Sequence, residues 1–194
     1  MNLGIKGKNA LITGGANGIG KSISERLANE GANIYFTSRN KKTIFKMEKT
    51  LKKYHIRSKG IEVDFLKKNS LKKFLNLIKK LKIDILVNNA GHTLDIKDPY
   101  CKIKDWHKLM SINFDTPVQI VNALVPQMKK NNWGRIVNIT SCAGLENSGP
   151  VTYTVSKAAL TAYTRTMGRI LANESKNIVM SAVFPGVVVT KGGH

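Results

Sequence analysis

Asn9-Ala-Leu-Ile-Thr-Gly-Gly-Ala-Asn-Gly-Ile-Gly-Lys-Ser-Ile-Ser-Glu-Arg-Leu-Ala-Asn29 joins a short apolar run, a glycine-rich turn and an amphipathic stretch in direct succession. The run from Asn9 to Thr13 predicts a strand, and Gly18 to Asn29 predicts a helix. Glycines lie at the turn between them, where backbone bends tightly and can approach a ligand closely. Such a turn points the free N–H groups of a helix amino terminus at an anion, which suits a phosphate or pyrophosphate. The spacing is Thr13-Gly-x-x-x-Gly-x-Gly20, which departs from the G-x-G-x-x-G dinucleotide fingerprint.

Outward from this unit the same alternation repeats. Further strands are expected at Asn33 to Thr37, Ser58 to Val63, Asp84 to Val87, Arg135 to Ile139 and Ile178 to Phe184. Helices are expected at Lys41 to Tyr54, Ser70 to Leu81, Lys102 to Asn131 and Val151 to Asn173. Alternating strands and helices joined by brief connections predict an α/β fold, a doubly wound parallel sheet of the Rossmann type, with ligands beyond the carboxyl ends of the strands. With no repeat, linker or composition shift, residues 1–194 read as a single domain. The last run, Ile-Val-Met-Ser-Ala-Val-Phe184, reads as a strand buried on both faces.

Composition excludes several classes. A hydrophobic content of 42% supports a packed core rather than disorder. No apolar run approaches the roughly 20 residues needed to span a bilayer, and Met1 leads almost directly into the first strand, so a cytoplasmic protein without membrane contact is expected. Cys101, Cys142 and the four histidines show no metal-ligand spacing, and no metal is expected. The net charge of +20 would suit a nucleic-acid partner. Yet between Lys41 and Lys82 the 14 lysines and Arg57 lie mostly on two amphipathic helices and form no recognisable nucleic-acid-binding motif. They read as solvated faces that favour an anionic cofactor or substrate, and no nucleic acid is expected.

Chemistry is concentrated farther along. In Tyr153-Thr-Val-Ser-Lys157 the i to i+4 spacing puts a phenol and an ammonium on one helix face. A nearby cation favours the phenolate and brings a tyrosine toward general acid–base work. Ser141 ends the strand that starts near Gly134, where a hydroxyl can meet a substrate oxygen at the sheet's carboxyl edge. Asn88-Asn-Ala-Gly91 follows the fourth strand, and Asp64 follows the third. Asn113 falls mid-helix, an unfavourable place for asparagine unless its side chain or a freed carbonyl is used. Pro185-Gly186, Val188 and Thr190 follow the sixth strand.

In identity, order and spacing these elements together resemble the short-chain dehydrogenase/reductase family across essentially the whole chain. The resemblance implies hydride transfer between NADP(H) and a carbonyl or alcohol. Ser141 would polarise the substrate oxygen and Tyr153 would act as acid or base. Lys157 would lower the phenol pKa and hold the nicotinamide ribose, and Asn113 would anchor a water in the proton relay. Gly14, Asn17, Gly18, Ile19 and Gly20 would line the pyrophosphate and ribose. Asp64 would meet the adenine amino group, and Asn89, with Ala90 and Gly91, the adenosine ribose. Pro185, Gly186, Val188 and Thr190 would contact the carboxamide and phosphate end of the cofactor.

An acidic residue at the end of the second strand would bind the adenosine 2'-hydroxyl and repel a 2'-phosphate. Ser38 stands where NAD-preferring members of that family carry aspartate, and Arg39 follows with a guanidinium suited to phosphate. NADP(H) is the expected cofactor, with NAD(H) as the alternative, although Asn17 lacks the basic side chain that some NADP-dependent relatives carry in the glycine loop. The chain ends at Lys191-Gly-Gly-His194, where the resemblance implies a further lid segment and a last strand. Six strands are therefore expected and the seventh missing. A homodimer or homotetramer is implied for the longer form. The competing expectation is a catalytically silent NADP(H)-binding fragment or subunit.

Overall fold

A computed structural model describes residues 3–175 and 177–189. Among the described residues six parallel strands form one sheet: β1 (Asn9–Ile12), β2 (Asn33–Ser38), β3 (Ser58–Glu62), β4 (Ile85–Asn88), β5 (Gly134–Ile139) and β6 (Ile178–Val183). Their order is β3-β2-β1-β4-β5-β6. The register places Ala10 between Ile34 and Ile85, and Leu11 between Tyr35 and Leu86. The order reverses between β1 and β4, so connections leave the sheet in opposite directions there and open a crevice at the carboxyl edge.

Side-chain alternation along the strands divides the core in two. Ala10, Ile12, Ile34, Phe36 and Val87 pack against helices α1 (Gly18–Asn29) and α2 (Lys41–Leu51) through Ala28, Met47 and Leu51. Leu11, Leu86 and Ile136 face the other way. They meet α3 (Lys68–Ile78), α5 (Thr116–Lys130) and α7 (Val151–Glu174) through Leu71, Phe74, Ile120, Leu124 and Leu171. On α2 and α3, Lys41, Lys42, Lys46, Lys49, Lys72 and Lys73 are exposed.

Several boundaries differ from the sequence reading. The expected helix from Lys41 ends at Leu51 and closes in a 3-10 turn, Lys52–Tyr54, because His55 turns left-handed at φ 54°. Helix α3 starts at Lys68 rather than Ser70, since Ser70 Oγ accepts from the Asp64 amide instead of capping a helix. The single helix expected over residues 102–131 is α4 (Ile103–Met110), a π-helical turn (Ser111–Asp115) and α5. A short helix, α6 (Ala143–Glu146), follows β5 unannounced by the sequence pattern. Strand β6 buries Ile178 and Met180 but leaves Val179 and Val183 each 48% exposed, so it is covered on one face only. Among the described residues no helix is long and apolar enough to cross a membrane.

Candidate active site

The first wall of the crevice is the turn from β1 to α1. Gly14 and Gly18 hold φ of 63° and 50°, a region where a Cβ is strained. A Cβ on Gly20 would press on the Gly14 carbonyl and stand 2.5 Å from Asn89 Nδ2, so glycine is required there by space alone. Thr13 fastens this turn to the end of β4: its Oγ1 accepts from the Asn89 and Ala90 amides, both at 2.9 Å. Asn89 Nδ2 returns a bond to the Thr13 carbonyl at 2.9 Å, and the Gly14 amide donates to Thr37 Oγ1 at 2.9 Å. Asn17 sits at the amino-terminal cap of α1 with extended backbone, its side chain caps nothing, and the first turn holds no acid. The first-turn N–H groups therefore keep their capacity for an anion.

Beside this turn lies a cavity of about 460 Å³ whose walls include Gly14, Asn17, Ser38, Arg39, Asp64 and Asn89. Ser38 Oγ accepts from the Asn40 amide at 3.2 Å, and Asn40 Oδ1 caps α2 through Lys42 and Thr43, so the end of β2 is rigidly set. Arg39 is exposed beside it. Asp64 Oδ1 accepts from the Leu66 amide at 3.1 Å and Oδ2 lies 3.9 Å from Lys67 Nζ. Ala90 and Gly91 complete this side. The sequence reading missed His92, Leu94 and Lys108, which also line the cavity. They follow the asparagine motif or sit on α4, and no spacing rule singles them out.

A second cavity, about 310 Å³, shares Asn89 and Gly91 with the first. It gathers Ile19, Ser141, Tyr153, Lys157, Pro185, Gly186 and Val188, which stand far apart in sequence. Thr190 lies outside the described residues. Helix α7 carries Tyr153 and Lys157 on one face, with Lys157 Nζ 5.7 Å from the centre of the phenol ring. The ammonium is buried at 4% exposure and donates to the Ile139 carbonyl at 2.9 Å. Burial without a counter-ion brings its pKa down to about 8. Burial pushes the Tyr153 phenol up, opposed by a hydrogen bond with Ser141. Ser141 is the hydroxyl that hydrogen-bonds the phenol here, while the ammonium is turned onto the Ile139 carbonyl.

Asn113 has 0% exposure within the π-helical turn. Its Oδ1 accepts from the His92 amide at 2.9 Å, and its Nδ2 donates to the His92 carbonyl and to Ser156 Oγ, both at 3.0 Å. The wide turn is what lets a mid-helix asparagine face inward. Gly91 is wedged against this group: a Cβ there would lie 3.1 Å from both Asn113 Oδ1 and Lys157 Nζ. Behind it, Asn88 Nδ2 donates to Asn138 Oδ1 at 2.9 Å and Asn138 Nδ2 to Thr164 Oγ1 at 2.8 Å, a buried ladder that ties β4, β5 and α7 together.

The sequence matches the short chain dehydrogenase family model over residues 8–194. It is 34% identical over 194 residues to the 3-oxoacyl-(acyl-carrier-protein) reductase FabG of Aquifex aeolicus, covering 98% of this chain and 77% of that protein. Among solved structures it resembles the L-sorbose reductase of Gluconobacter frateurii complexed with NADPH and L-sorbose. The TM-score is 0.90 at 28% identity, covering 98% of this chain and 73% of that one. An NAD+-bound xylitol dehydrogenase superposes with a TM-score of 0.81 at 28% identity, covering 94% of this chain and 71% of the other.

Proposed function

This chain belongs to the short chain dehydrogenase family, NAD(P)-dependent oxidoreductases acting on carbonyl or alcohol groups, and we propose that it works with NADP(H) and uses Tyr153 as its proton donor. The observation that carries the reading is the cavity shared by Ser141, Tyr153 and Lys157, which joins the Arg39 cavity through Asn89 and Gly91. The residues fit a dinucleotide: Gly14 and Gly20 let the turn close tightly on Asn89, where a Cβ would crowd it, and the α1 amino terminus offers uncapped N–H groups.

Arg39, with no acid at Ser38, would pair with a 2'-phosphate, while the amides from Gly14 to Gly20 would hold the pyrophosphate. When bound, the nicotinamide supplies the hydride that reduces the carbonyl carbon. Ser141 Oγ and the Tyr153 hydroxyl would hold the substrate oxygen. Tyr153 would then give that oxygen its proton as the carbon is reduced, completing the alcohol. A phenol pushed up by burial is a proton donor, which is what reduction of a carbonyl asks of it. Lys157 would hold the ribose and steady the phenolate left behind.

A catalytically silent binding module is less well supported, since every member of the hydroxyl, phenol and ammonium set lines one cavity. The test is a spectrophotometric screen of NADPH consumption across small ketones, with 3-oxoacyl thioesters and ketoses included because the relatives' names span both. Oxidation of NADPH by at least one ketone supports the reading. A chain that binds neither dinucleotide sinks it.

A further inference from the structure

The segment leaving β4 is pinned and then bent by side chains. Asn113 holds the His92 amide and carbonyl together, at 2.9 and 3.0 Å. Two residues on, the Leu94 amide donates to His92 Nδ1 at 2.7 Å, and the Asp95 amide donates to Thr93 Oγ1 at 3.3 Å. Leu94 and Asp95 accordingly stand at φ of 53° and 56°, a left-handed backbone that a leucine rarely adopts. Strain of this kind persists where surrounding bonds over-determine it, and it collects at ligand sites.

His92, Leu94 and Asp95 all line the larger cavity, and Gly91 just before them lines both cavities. His92 therefore follows directly on Gly91, a residue the two cavities share, and stands in the wall of the larger one. An imidazole whose Nδ1 accepts a hydrogen bond carries its proton on Nε2 when neutral. The second nitrogen is thus a donor, and His92 is exposed at the cavity wall.

We propose that His92 is a cofactor-positioning residue, its Nδ1 holding the Leu94 turn against the cavity and its Nε2–H serving the ribose and pyrophosphate oxygens of the dinucleotide. The inference rests on the dinucleotide reading above. It assigns a task to a side chain that the Tyr153 chemistry leaves unused. Leu94 then packs against the bound cofactor only while the imidazole keeps its backbone turned.

Three measurements test it. Nitrogen-15 NMR of the imidazole in the ligand-free chain should show the Nε2–H tautomer; an Nδ1–H tautomer overturns the proposal whatever the cofactor does. Fluorescence titration with NADPH should give a Kd about five- to tenfold higher for His92→Ala. His92→Asn should recover part of that loss, because an asparagine oxygen accepts from the amide two residues on. On a Leu94→Gly background, where glycine takes the left-handed backbone freely, His92→Ala should cost less than it does in the wild type. In steady state the loss should fall on KM for the cofactor more than on kcat. Wild-type binding with His92→Ala within twofold of it overturns this inference alone. A wild-type chain that binds no NADPH overturns the cofactor reading together with it.

Discussion

Lys157 Nζ hydrogen-bonds the Ile139 carbonyl at 2.9 Å, so the ammonium is tethered to the end of β5 while it stands 5.7 Å from the centre of the Tyr153 ring. The tether places one cation within reach of both the phenol and the floor of the cofactor cleft. It also buries a charge whose hydrogen-bond partner among the described residues is a carbonyl dipole, and that burial is measurable.

For Lys157 the ordinary value of 10.5 falls to about 8 on folding. Between those values the unfolded chain holds the proton and the folded chain does not, so stability rises with pH across that window. Below about 8 both states hold it and the cost of burying the charge is fully present. The stability difference between Lys157→Met and wild type should therefore shift toward wild type from pH ~8 to ~10.5, by up to about 3 kcal/mol. Urea melts at a series of pH values check this; no relative change would mean that the folded lysine keeps its proton.

Tyr153→Phe keeps the ring and removes the transferable proton. Turnover should fall about a thousandfold, within the range for loss of a general acid, while cofactor affinity stays within a few-fold. Because the wild-type phenol is pushed up by burial, the oxidative rate should climb with pH as phenolate appears, and the reductive rate should not. Initial rates in both directions, with alcohol and with ketone, decide the matter. Oxidation that does not vary with pH would remove Tyr153 from the proton path.

Arg39→Asp replaces a cation with an anion beside Ser38. Charge-assisted hydrogen bonds worth about 1.5 to 3 kcal/mol would be lost, a roughly tenfold to hundredfold weakening confined to the 2'-phosphorylated cofactor. Titration with NADPH and NADH in parallel reads the selectivity. Equal changes for both would clear Arg39 of that role.

Asn113→Ala leaves the His92 amide, the His92 carbonyl and Ser156 Oγ without the one amide that serves all three. With each hydrogen bond worth about 1 kcal/mol net, the variant should lose about 2 to 4 kcal/mol in denaturant melts. An unchanged midpoint would show that the π-helical turn re-satisfies those groups by itself.

The glycine turn, the six strands and the Tyr153–Lys157 face were legible because each rests on local pattern. Helix α1 matches its expected bounds of Gly18 to Asn29 for that reason. The break in the residue 102–131 helix was not legible: the periodicity of its apolar residues runs on through Ser111–Asp115, and the bonds that Asn113 makes to His92 and Ser156 from the widened turn have no sequence spacing. Thr13 heads the glycine pattern and Thr37 reads as a strand residue, with no bonding role foreseen for either hydroxyl. Their hydroxyls matter because β1, β2 and β4 lie side by side, a tertiary fact with no sequence spacing of its own. The Lys157–Ile139 tether is hidden for the same reason.

The bond between Thr13 Oγ1 and the Asn89 amide closes a loop of 76 residues. Neither half of the cleft is complete until that closure has been made, so the binding site is a property of the assembled sheet rather than of the amino-terminal unit. A ligand that bridges Arg39 and Tyr153 would act as a clasp on the finished molecule, raising its resistance to unfolding by about 2.7 kcal/mol at a hundred times its Kd. Melting temperature in the presence of dinucleotide thus becomes an assay of whether a newly made chain has joined its two halves.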